Sequence, residues 1–282
     1  MMSRALATAV IVLVAAALSA VEPTSQEEYI SSLEREHATD APVASPAARV
    51  EPNAEVVTAE VVYTELDGKQ LIGFVAHPAS GVPASGIIVI HEWWGLNDNI
   101  RAMTRRLAGE GYIALAVDLY DGEVAADSET AGGLARGAAE RPERVMENLR
   151  RAIAHLRHEG VVKLGVIGWC FGGGWSLRTA LSVPDEVDAA VIYYGRVTTN
   201  PDDLEPLTAP LLGIFGAEDG GIPVATVREF QTSLNSLGKN ASIVIYEGAE
   251  HAFANPSGTR YNKNAAEDAW GKTLNFFAQH LR

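Results

Sequence analysis

Cysteine and positive charge are both scarce in this chain. Cys170 is the one cysteine among 282 residues, so no disulfide can form within the chain, and no Cys/His cluster has the spacing of a zinc site. Only 22 Lys and Arg stand against 36 Asp and Glu, which gives a formal net charge of -14. Because nucleic acid and anionic lipid both require a basic surface, these partners are excluded. The expected partner is a small molecule.

The first residues differ in kind from the rest. Arg4 precedes a run of small and apolar residues, 5–18, which is short for a transmembrane helix and is followed by Ser19 and Ala20. We expect residues 1–20 to be an export signal that is cleaved after one of these two, which would make the protein secreted or periplasmic. The alternative is an uncleaved N-terminal membrane anchor. After removal of the signal we expect no stable membrane insertion, and we expect a monomer.

The remaining sequence divides into an arm and one domain. Residues 21–54 are rich in Ala, Pro, Ser and Glu, which predicts a polar arm or linker with at most one short helix. In residues 55–282, β-branched runs such as 86–90 alternate with helical patterns, and a polar loop is expected from Gly122 to about Ala139. The alternation predicts an α/β protein whose central sheet is mostly parallel and carries helices on both faces.

The stretch from Gly168 to Gly173 has the pattern of a strand, a sharp turn and a helix. An apolar run leads into it, and Trp175 and Leu177 lie on one face of the helix that follows. The glycines permit a strained turn that lifts Cys170 above the carboxyl edge of the sheet, and a helix N-terminus lowers the pKa of a thiol. Cys170 is therefore a candidate nucleophile. Taken alone, the pattern also fits a small buried cysteine in a tight connection.

Two later loops supply an acid and a base. Asp219 and then His251 follow predicted strands, which gives the order nucleophile, acid, base that is typical of the α/β-hydrolase fold. His251 can take the thiol proton near neutral pH, while Asp219 holds its ring in one tautomer. Glu218 is an alternative acid, although a shorter side chain is fixed more readily in a turn.

A carbonyl group that is attacked by sulfur develops an oxyanion, which two backbone N–H groups can bind. These belong to Phe171, directly after the nucleophile, and to Trp93, in the loop after the strand at 86–90. Nearby aromatic residues are expected to form the substrate-binding walls, namely Trp94, Tyr120, Tyr194 and Phe253. This chemistry requires neither a metal nor a cofactor.

Taken in order, these motifs resemble those of the dienelactone hydrolase family, a cysteine-dependent branch of the α/β-hydrolases, over residues 55–282. The resemblance implies a triad of Cys170, His251 and Asp219 that hydrolyses an ester or lactone, and it implies that Glu92 contacts the resting thiol. It rests on His-Glu-Trp-Trp-Gly at 91–95, Asp-Leu-Tyr at 118–120, Gly-Trp-Cys-Phe-Gly-Gly at 168–173, Tyr-Tyr-Gly at 193–195, Asp219, and His-Ala-Phe at 251–253.

The chain departs from the family pattern at two positions that concern the substrate. Family members that open dienelactones hold a carboxylate with two arginines, and Gly122 and Asn255 stand at those places here. Because an unpaired buried carboxylate costs on the order of several kcal/mol, a dianionic dienelactone is not the expected substrate unless Arg196 or Arg260 replaces the missing cations. Two other functions stay open: a non-catalytic scaffold that binds an apolar small molecule, and a redox thiol.

Overall fold

The computed structural model describes residues 26–40 and 50–282. The predicted export signal, residues 1–20, lies outside the described residues, and so does part of the arm predicted for 21–54. In the part of the chain that is described, no helix has both the length and the apolar character that a membrane span requires. The division of the chain at residue 54 stays a prediction.

A sheet of eight strands forms the centre of the fold. Its strands are β1 (Val56–Leu66), β2 (Lys69–Pro78), β3 (Ser85–Ile90), β4 (Ile113–Val117), β5 (Lys163–Trp169), β6 (Ala189–Tyr193), β7 (Leu211–Gly216) and β8 (Ala241–Tyr246). The helices of the described residues are α1 (Gln26–Glu36), α2 (Asp98–Gly109), α3 (Ser128–Ala139), α4 (Pro142–His158), α5 (Phe171–Ser182), α6 (Pro201–Leu204), α7 (Val224–Ser236) and α8 (Lys263–Leu281).

The sheet order is β1-β2-β4-β3-β5-β6-β7-β8. β1 and β2 form an antiparallel hairpin at one edge, and β2 pairs antiparallel with β4. Asp67 and Gly68 both have positive φ, 53° and 74°, as a two-residue hairpin turn requires. The pairings from β4 through β3 to β8 are parallel, so the predicted mostly parallel sheet is confirmed.

Helices cover both faces of this sheet. Gly86 of β3 pairs with Leu164 of β5, and the next residue along each strand brings Ile87 opposite Gly165. Because successive side chains point to opposite faces, positions 86 and 165 face opposite ways. A Cβ at Gly86 would meet Leu156 of α4, whereas one at Gly165 would meet Phe277 of α8. α4 and α8 therefore lie on opposite faces, as predicted.

The polar loop predicted between Gly122 and about Ala139 is wrong, because α3 occupies most of it. Asp127 caps this helix by accepting a hydrogen bond from the Thr130 N–H at 2.8 Å. The residues that α3 buries are all small: Ala131, Gly132, Ala135 and Ala138. Alanine and glycine produce little hydrophobic periodicity, so the sequence pattern hid the helix. α3 packs against α1, whose Tyr29, Ile30 and Leu33 are buried although they belong to the predicted arm.

Candidate active site

Cys170 lies in a strained turn between β5 and α5. Its φ is 54° and its ψ is -119°, a backbone conformation that L-residues rarely adopt. The turn depends on glycine at two places. A Cβ at Gly168 would lie 2.1 Å from the carbonyl oxygen of Gly172, and one at Gly172 would lie 2.4 Å from the carbonyl oxygens of Ile90 and His91. The glycines therefore let the turn close against the end of β3, as the sequence pattern predicts.

Three side chains from three loops form one hydrogen-bonded chain. The Nε2 atom of His251 lies 3.3 Å from the Sγ atom of Cys170. On the other side of the ring, Nδ1 lies 2.9 Å from Oδ2 of Asp219. Since an ionised carboxylate only accepts hydrogen bonds, Nδ1 carries a proton and Nε2 faces the sulfur. The Cys170, His251 and Asp219 side chains are all buried.

The structure distinguishes between the two candidate acids. Asp219 is buried, and its second oxygen, Oδ1, accepts hydrogen bonds from the backbone N–H groups of Gly221 at 2.8 Å and Ile222 at 2.7 Å. These bonds fix the carboxylate in its turn. Glu218 is exposed to solvent. Of the two candidates, Asp219 is the one whose carboxylate contacts His251, and its role as the catalytic acid stays a prediction.

Burial alone would lower the pKa of His251. The neighbouring Asp219 carboxylate and the Cys170 sulfur outweigh burial and raise this pKa well above its ordinary value. The raised pKa means that the imidazole readily holds a proton taken from the thiol. The ring is therefore suited to carry the positive charge that follows proton transfer.

Glu92 follows β3 and lies in the same buried region. Its Oε2 atom accepts a 2.6 Å hydrogen bond from the side-chain amide of Asn255, and its Oε1 atom has no hydrogen-bond partner among the described residues. Burial raises the pKa of Glu92 to about 7, although His251 and Asn255 lower it. The hydrogen bond that the thiol makes is to His251, so the contact of Glu92 with the resting thiol stays a prediction.

His91, which also follows a strand, holds two loops together. Its Nδ1 lies 2.5 Å from the carbonyl oxygen of Glu92, and its Nε2 accepts a hydrogen bond from the backbone N–H of Leu119 at 3.2 Å. Burial lowers the pKa of His91 to about 4, so the ring is neutral near pH 7. Nε2 thus ties the loop after β3 to the loop after β4, while Nδ1 bonds within the loop after β3.

The two predicted oxyanion-binding residues lie on either side of the elbow. Phe171 is the first residue of α5, where a backbone N–H has no acceptor within the helix. Trp93 belongs to the loop after β3, and the carbonyl oxygen of His91 in that loop is in close contact with Gly172 of the elbow. The loop and the helix N-terminus are therefore adjacent.

The four residues predicted to form the substrate-binding walls are all buried near Cys170, His251 and Asp219. The ring of Tyr194 lies 5.3 Å from that of His251 and 5.5 Å from that of Phe253, while Tyr120 lies 5.9 Å from Phe171. Burial raises the pKa of Tyr120 and of Tyr194 well above the ordinary value, and the Cys170 sulfur contributes to both. Neither tyrosine hydroxyl has a hydrogen-bond partner in the described ranges. Trp94 packs against Trp93, with ring centroids 5.1 Å apart.

Sequence reasoning missed two residues, Tyr29 and His37. Both are buried, and both come from the region predicted to be an arm. The ring of His37 lies 5.4 Å from that of His251, and one nitrogen of each ring together with the Cys170 sulfur lie within 4.8 Å of one another. Such a set of nitrogen and sulfur donors would suit zinc, although the spacing in the sequence predicts no metal site. The polar composition around His37 carried no signal of this placement.

Arg196 and Arg260, the candidates to replace the two arginines of dienelactone-opening family members, have other neighbours. Arg260 makes a 2.8 Å ion pair with Asp40, lies 3.9 Å from Glu36, and donates a 2.9 Å hydrogen bond to the carbonyl oxygen of His251. The guanidinium of Arg196 lies 5.9 Å from the ring centroid of Tyr29. Arg260 is therefore balanced by acidic groups.

A cysteine on a strand–turn–helix elbow, followed in chain order by an acid and a base in loops of a mostly parallel sheet, defines a hydrolase of the α/β-hydrolase fold. The model of the dienelactone hydrolase family matches residues 71–281. A protein of Saccharolobus solfataricus, provisionally named carboxymethylenebutenolidase, is 31% identical over 252 residues, which cover 76% of this chain and 96% of that protein.

Solved structures agree with this match. A provisionally named dienelactone hydrolase from Klebsiella pneumoniae superposes with a TM-score of 0.71 at 30% identity and covers 80% of this chain and 100% of its own. Esterase 2 of Thermogutta terrifontis shares the fold at 20% identity, with a TM-score of 0.60 over 79% of this chain and 94% of its own. The chain belongs to the dienelactone hydrolase family and is a carboxylic ester hydrolase.

Proposed function

We propose that this hydrolase cleaves a neutral carboxylic ester or lactone through Cys170, His251 and Asp219, by way of a thioester acyl-enzyme. One observation carries the proposal. Hydrogen bonds of 2.9 Å between His251 and Asp219 and of 3.3 Å between Cys170 and His251 join an acid, a base and a nucleophile. Membership of the family supports the reaction class.

In the first half of the reaction, the Sγ proton of Cys170 moves to Nε2 of His251. The thiolate adds to the substrate carbonyl, and the carbon–sulfur bond forms as the carbonyl oxygen becomes an oxyanion. The backbone N–H groups of Phe171 and Trp93 donate hydrogen bonds to this oxyanion. When the intermediate collapses, the carbon–oxygen bond of the ester breaks, and the leaving alkoxide takes the proton from His251. In a lactone, the alcohol stays attached to the acyl chain.

In the second half, His251 removes a proton from water, and the resulting hydroxide attacks the thioester. The carbon–sulfur bond breaks, the carboxylic acid leaves, and the proton returns from His251 to the sulfur. Asp219 holds the ring in the tautomer that both halves need and balances the imidazolium charge. The catalytic chain is then restored.

The aromatic residues Trp94, Tyr120, Tyr194 and Phe253 form the substrate walls in this proposal. They offer ring surfaces and neutral hydroxyl groups. Asn255 stands where the family's dienelactone-opening members have an arginine, and it is bonded to Glu92. In this proposal Glu92 contacts the resting thiol and helps to keep it unreactive until substrate binds. A neutral substrate suits such a lining better than a dianionic one.

The test is the release of 4-nitrophenol from 4-nitrophenyl acetate by wild type, Cys170→Ala and Cys170→Ser, together with opening of simple lactones. We expect turnover by wild type and none by Cys170→Ala. Equal rates for these two proteins would contradict the thiol mechanism. In that case ligand-binding assays would test a non-catalytic scaffold, and a peroxide-induced mass increase on Cys170 would test a redox thiol.

We also propose that residues 1–20 are an export signal and that the mature protein is secreted or periplasmic. The apolar run at 5–18, followed by small residues, supports this location. The intact mass of protein recovered from the periplasm or medium would reveal cleavage after Ser19 or Ala20, and recovery in the membrane fraction at full length would favour an anchor. The monomeric state stays a prediction for light scattering.

A further inference from the structure

Helix α1 and the turn that follows it, here called segment 26–40, pack on the catalytic residues. Leu33 is fully buried, and Glu34 pairs with Arg136 of α3. A Cβ at Gly220, next to Asp219, would clash with Glu36, so the segment and the loop of the catalytic acid are in close contact. This contact brings the end of α1 to the thiol.

The His37 ring lies among the rings of Trp93, Trp94 and His251, beside the nucleophile. Its ring centroid lies 5.0 Å from that of Trp93, 5.7 Å from that of Trp94 and 5.4 Å from that of His251, and the residue is 1% exposed. A ring nitrogen of His37 lies within 4.8 Å of the Cys170 sulfur. Atoms so near the sulfur are within van der Waals reach of an acyl group bound to it.

A second histidine–aspartate pair therefore faces the thiol. The Nδ1 atom of His37 lies 2.7 Å from Oδ2 of Asp40. Burial would raise the pKa of Asp40, but hydrogen bonds from His37 and Thr259 and the charge of Arg260 hold it well below its ordinary range. Asp40 is thus a carboxylate, and Nδ1 of His37 lies between it and Nη2 of Arg260, which is 3.0 Å away. The carboxylate only accepts hydrogen bonds and the guanidinium only donates them, so the bond that Nδ1 makes sets whether Nε2 offers a lone pair or a proton.

The same pair is attached to the loop of the catalytic base. Arg260 donates from Nη2 to Asp40 at 2.8 Å and from Nε to the carbonyl oxygen of His251 at 2.9 Å. The Thr259 hydroxyl donates to Asp40 at 2.7 Å. Arg260 and Thr259 thus position His37 through Asp40, and Arg260 also bonds to the backbone of His251.

In the described part of the chain, Nε2 of His37 has no hydrogen-bond partner, and the Tyr29 hydroxyl has none besides the nearby Cys170 sulfur. Both residues are buried. Burial, followed by the Cys170 sulfur and Asp219, raises the pKa of Tyr29, which places its hydroxyl near the catalytic groups. Because a buried polar group without a partner costs stability, such atoms point to a ligand that completes them.

We infer that segment 26–40 forms part of the active site. It covers the Cys170 thiol and places Tyr29 and His37 against the bound acyl group. This role rests on the hydrolase proposed above. Nε2 of His37 forms a hydrogen bond with the water that attacks the acyl carbon, while the Tyr29 hydroxyl contacts the substrate. The segment precedes residues 71–281, the part that matches the family model.

Point variants of the full chain test the contact with substrate. His37→Phe keeps an aromatic ring between the tryptophans but removes both nitrogens, whereas His37→Gln keeps a polar atom and packs less well. We expect kcat for 4-nitrophenyl acetate to fall about tenfold or more in His37→Phe and less in His37→Gln, because a hydrogen bond to the attacking water is lost. Tyr29→Phe should raise KM. Arg35→Ala, at an exposed position of the same helix, serves as the control.

The two His37 variants separate chemistry from packing. If His37 only filled space, Gln would harm the enzyme more than Phe, and this order would overturn the inference. Wild-type kcat in both variants would overturn it as well. Melting temperatures measured alongside show whether each variant is folded under the conditions of the assay.

Alkylation of Cys170 by iodoacetamide tests the cover without any ester. The chain has one cysteine, so the mass increase reports this site alone. Leu33→Asp puts a charge in the buried face of α1 and should speed alkylation about tenfold by favouring the open state, with Leu33→Ala as a milder variant and Arg35→Ala unchanged. Alkylation at the wild-type rate in both Leu33 variants would overturn the inference. If wild type hydrolyses no ester through Cys170, the proposed function fails, and alkylation still decides whether the segment covers the thiol.

Discussion

The side-chain amide of Asn255 donates a 2.6 Å hydrogen bond to Oε2 of Glu92. A neutral amide supplies no positive charge, so this buried carboxyl has no ion pair at that oxygen. Its pKa is accordingly raised to about 7, chiefly by burial. The bond thus links Asn255, where the resemblance to dienelactone-opening family members predicts an arginine, to the electrostatics of the site.

Glu92→Gln should change how stability depends on pH. The folded state holds the Glu92 proton up to about pH 7, whereas the unfolded chain releases it near 4.5. Between these values the folded state binds more protons, so this group's contribution to stability falls as pH rises, by about 2 kcal/mol from pH 5 to 8. Urea unfolding at both pH values should show that loss in wild type and less of it in Glu92→Gln. The exposed Glu247→Gln is the control, and an equal loss in all three would contradict the prediction.

Asp219→Asn should lower kcat/KM by about 10² to 10⁴, because the amide no longer holds His251 in the required tautomer or balances its charge. The neighbouring variant Glu218→Gln alters an exposed side chain and should stay within about twofold of wild type. Steady-state hydrolysis of 4-nitrophenyl acetate measures both. A large loss in Glu218→Gln with activity retained in Asp219→Asn would reverse the assignment of the acid.

Gly172→Ala should destabilise the fold by about 3 kcal/mol or more, since a Cβ there would lie 2.4 Å from two backbone carbonyl oxygens. Gly174→Ala, two residues further along α5, places its Cβ at ordinary contact distances of 3.5 Å and should cost less than about 1 kcal/mol. Chemical denaturation gives both values. Equal stability of the two variants would show that the elbow is looser than its geometry indicates.

The enzyme should prefer a neutral acyl chain to one that ends in a carboxylate. Gly122 and Asn255 provide no cation, and Arg260 is paired with Asp40. We expect kcat/KM for 4-nitrophenyl hexanoate to exceed that for the mono-4-nitrophenyl ester of adipic acid by about tenfold or more. Equal or better hydrolysis of the adipate ester would mean that a nearby arginine, such as Arg196, binds the carboxylate.

Local chemistry made much of this fold predictable. The β-branched runs indicated parallel strands that are covered on both faces. The glycines around Cys170 indicated a tight turn, which larger residues at those positions would not allow. The order of Asp219 and His251 is a property of the chain itself, and it predicts that both side chains meet Cys170 at the same edge of the sheet. Tertiary packing made the rest unpredictable. α3 buries only alanine and glycine, and Tyr29 and His37 reach the thiol because α1 docks on distant loops.

The complete burial of the Cys170 sulfur has a consequence for inhibitor kinetics. A covalent inhibitor reaches the sulfur only while the protein is open, so association can be no faster than opening. Inhibitors of increasing electrophilicity should therefore approach one common ceiling in their inactivation rate constants. Above that ceiling, a more reactive warhead gains nothing, and size and shape determine which compound reaches the sulfur first.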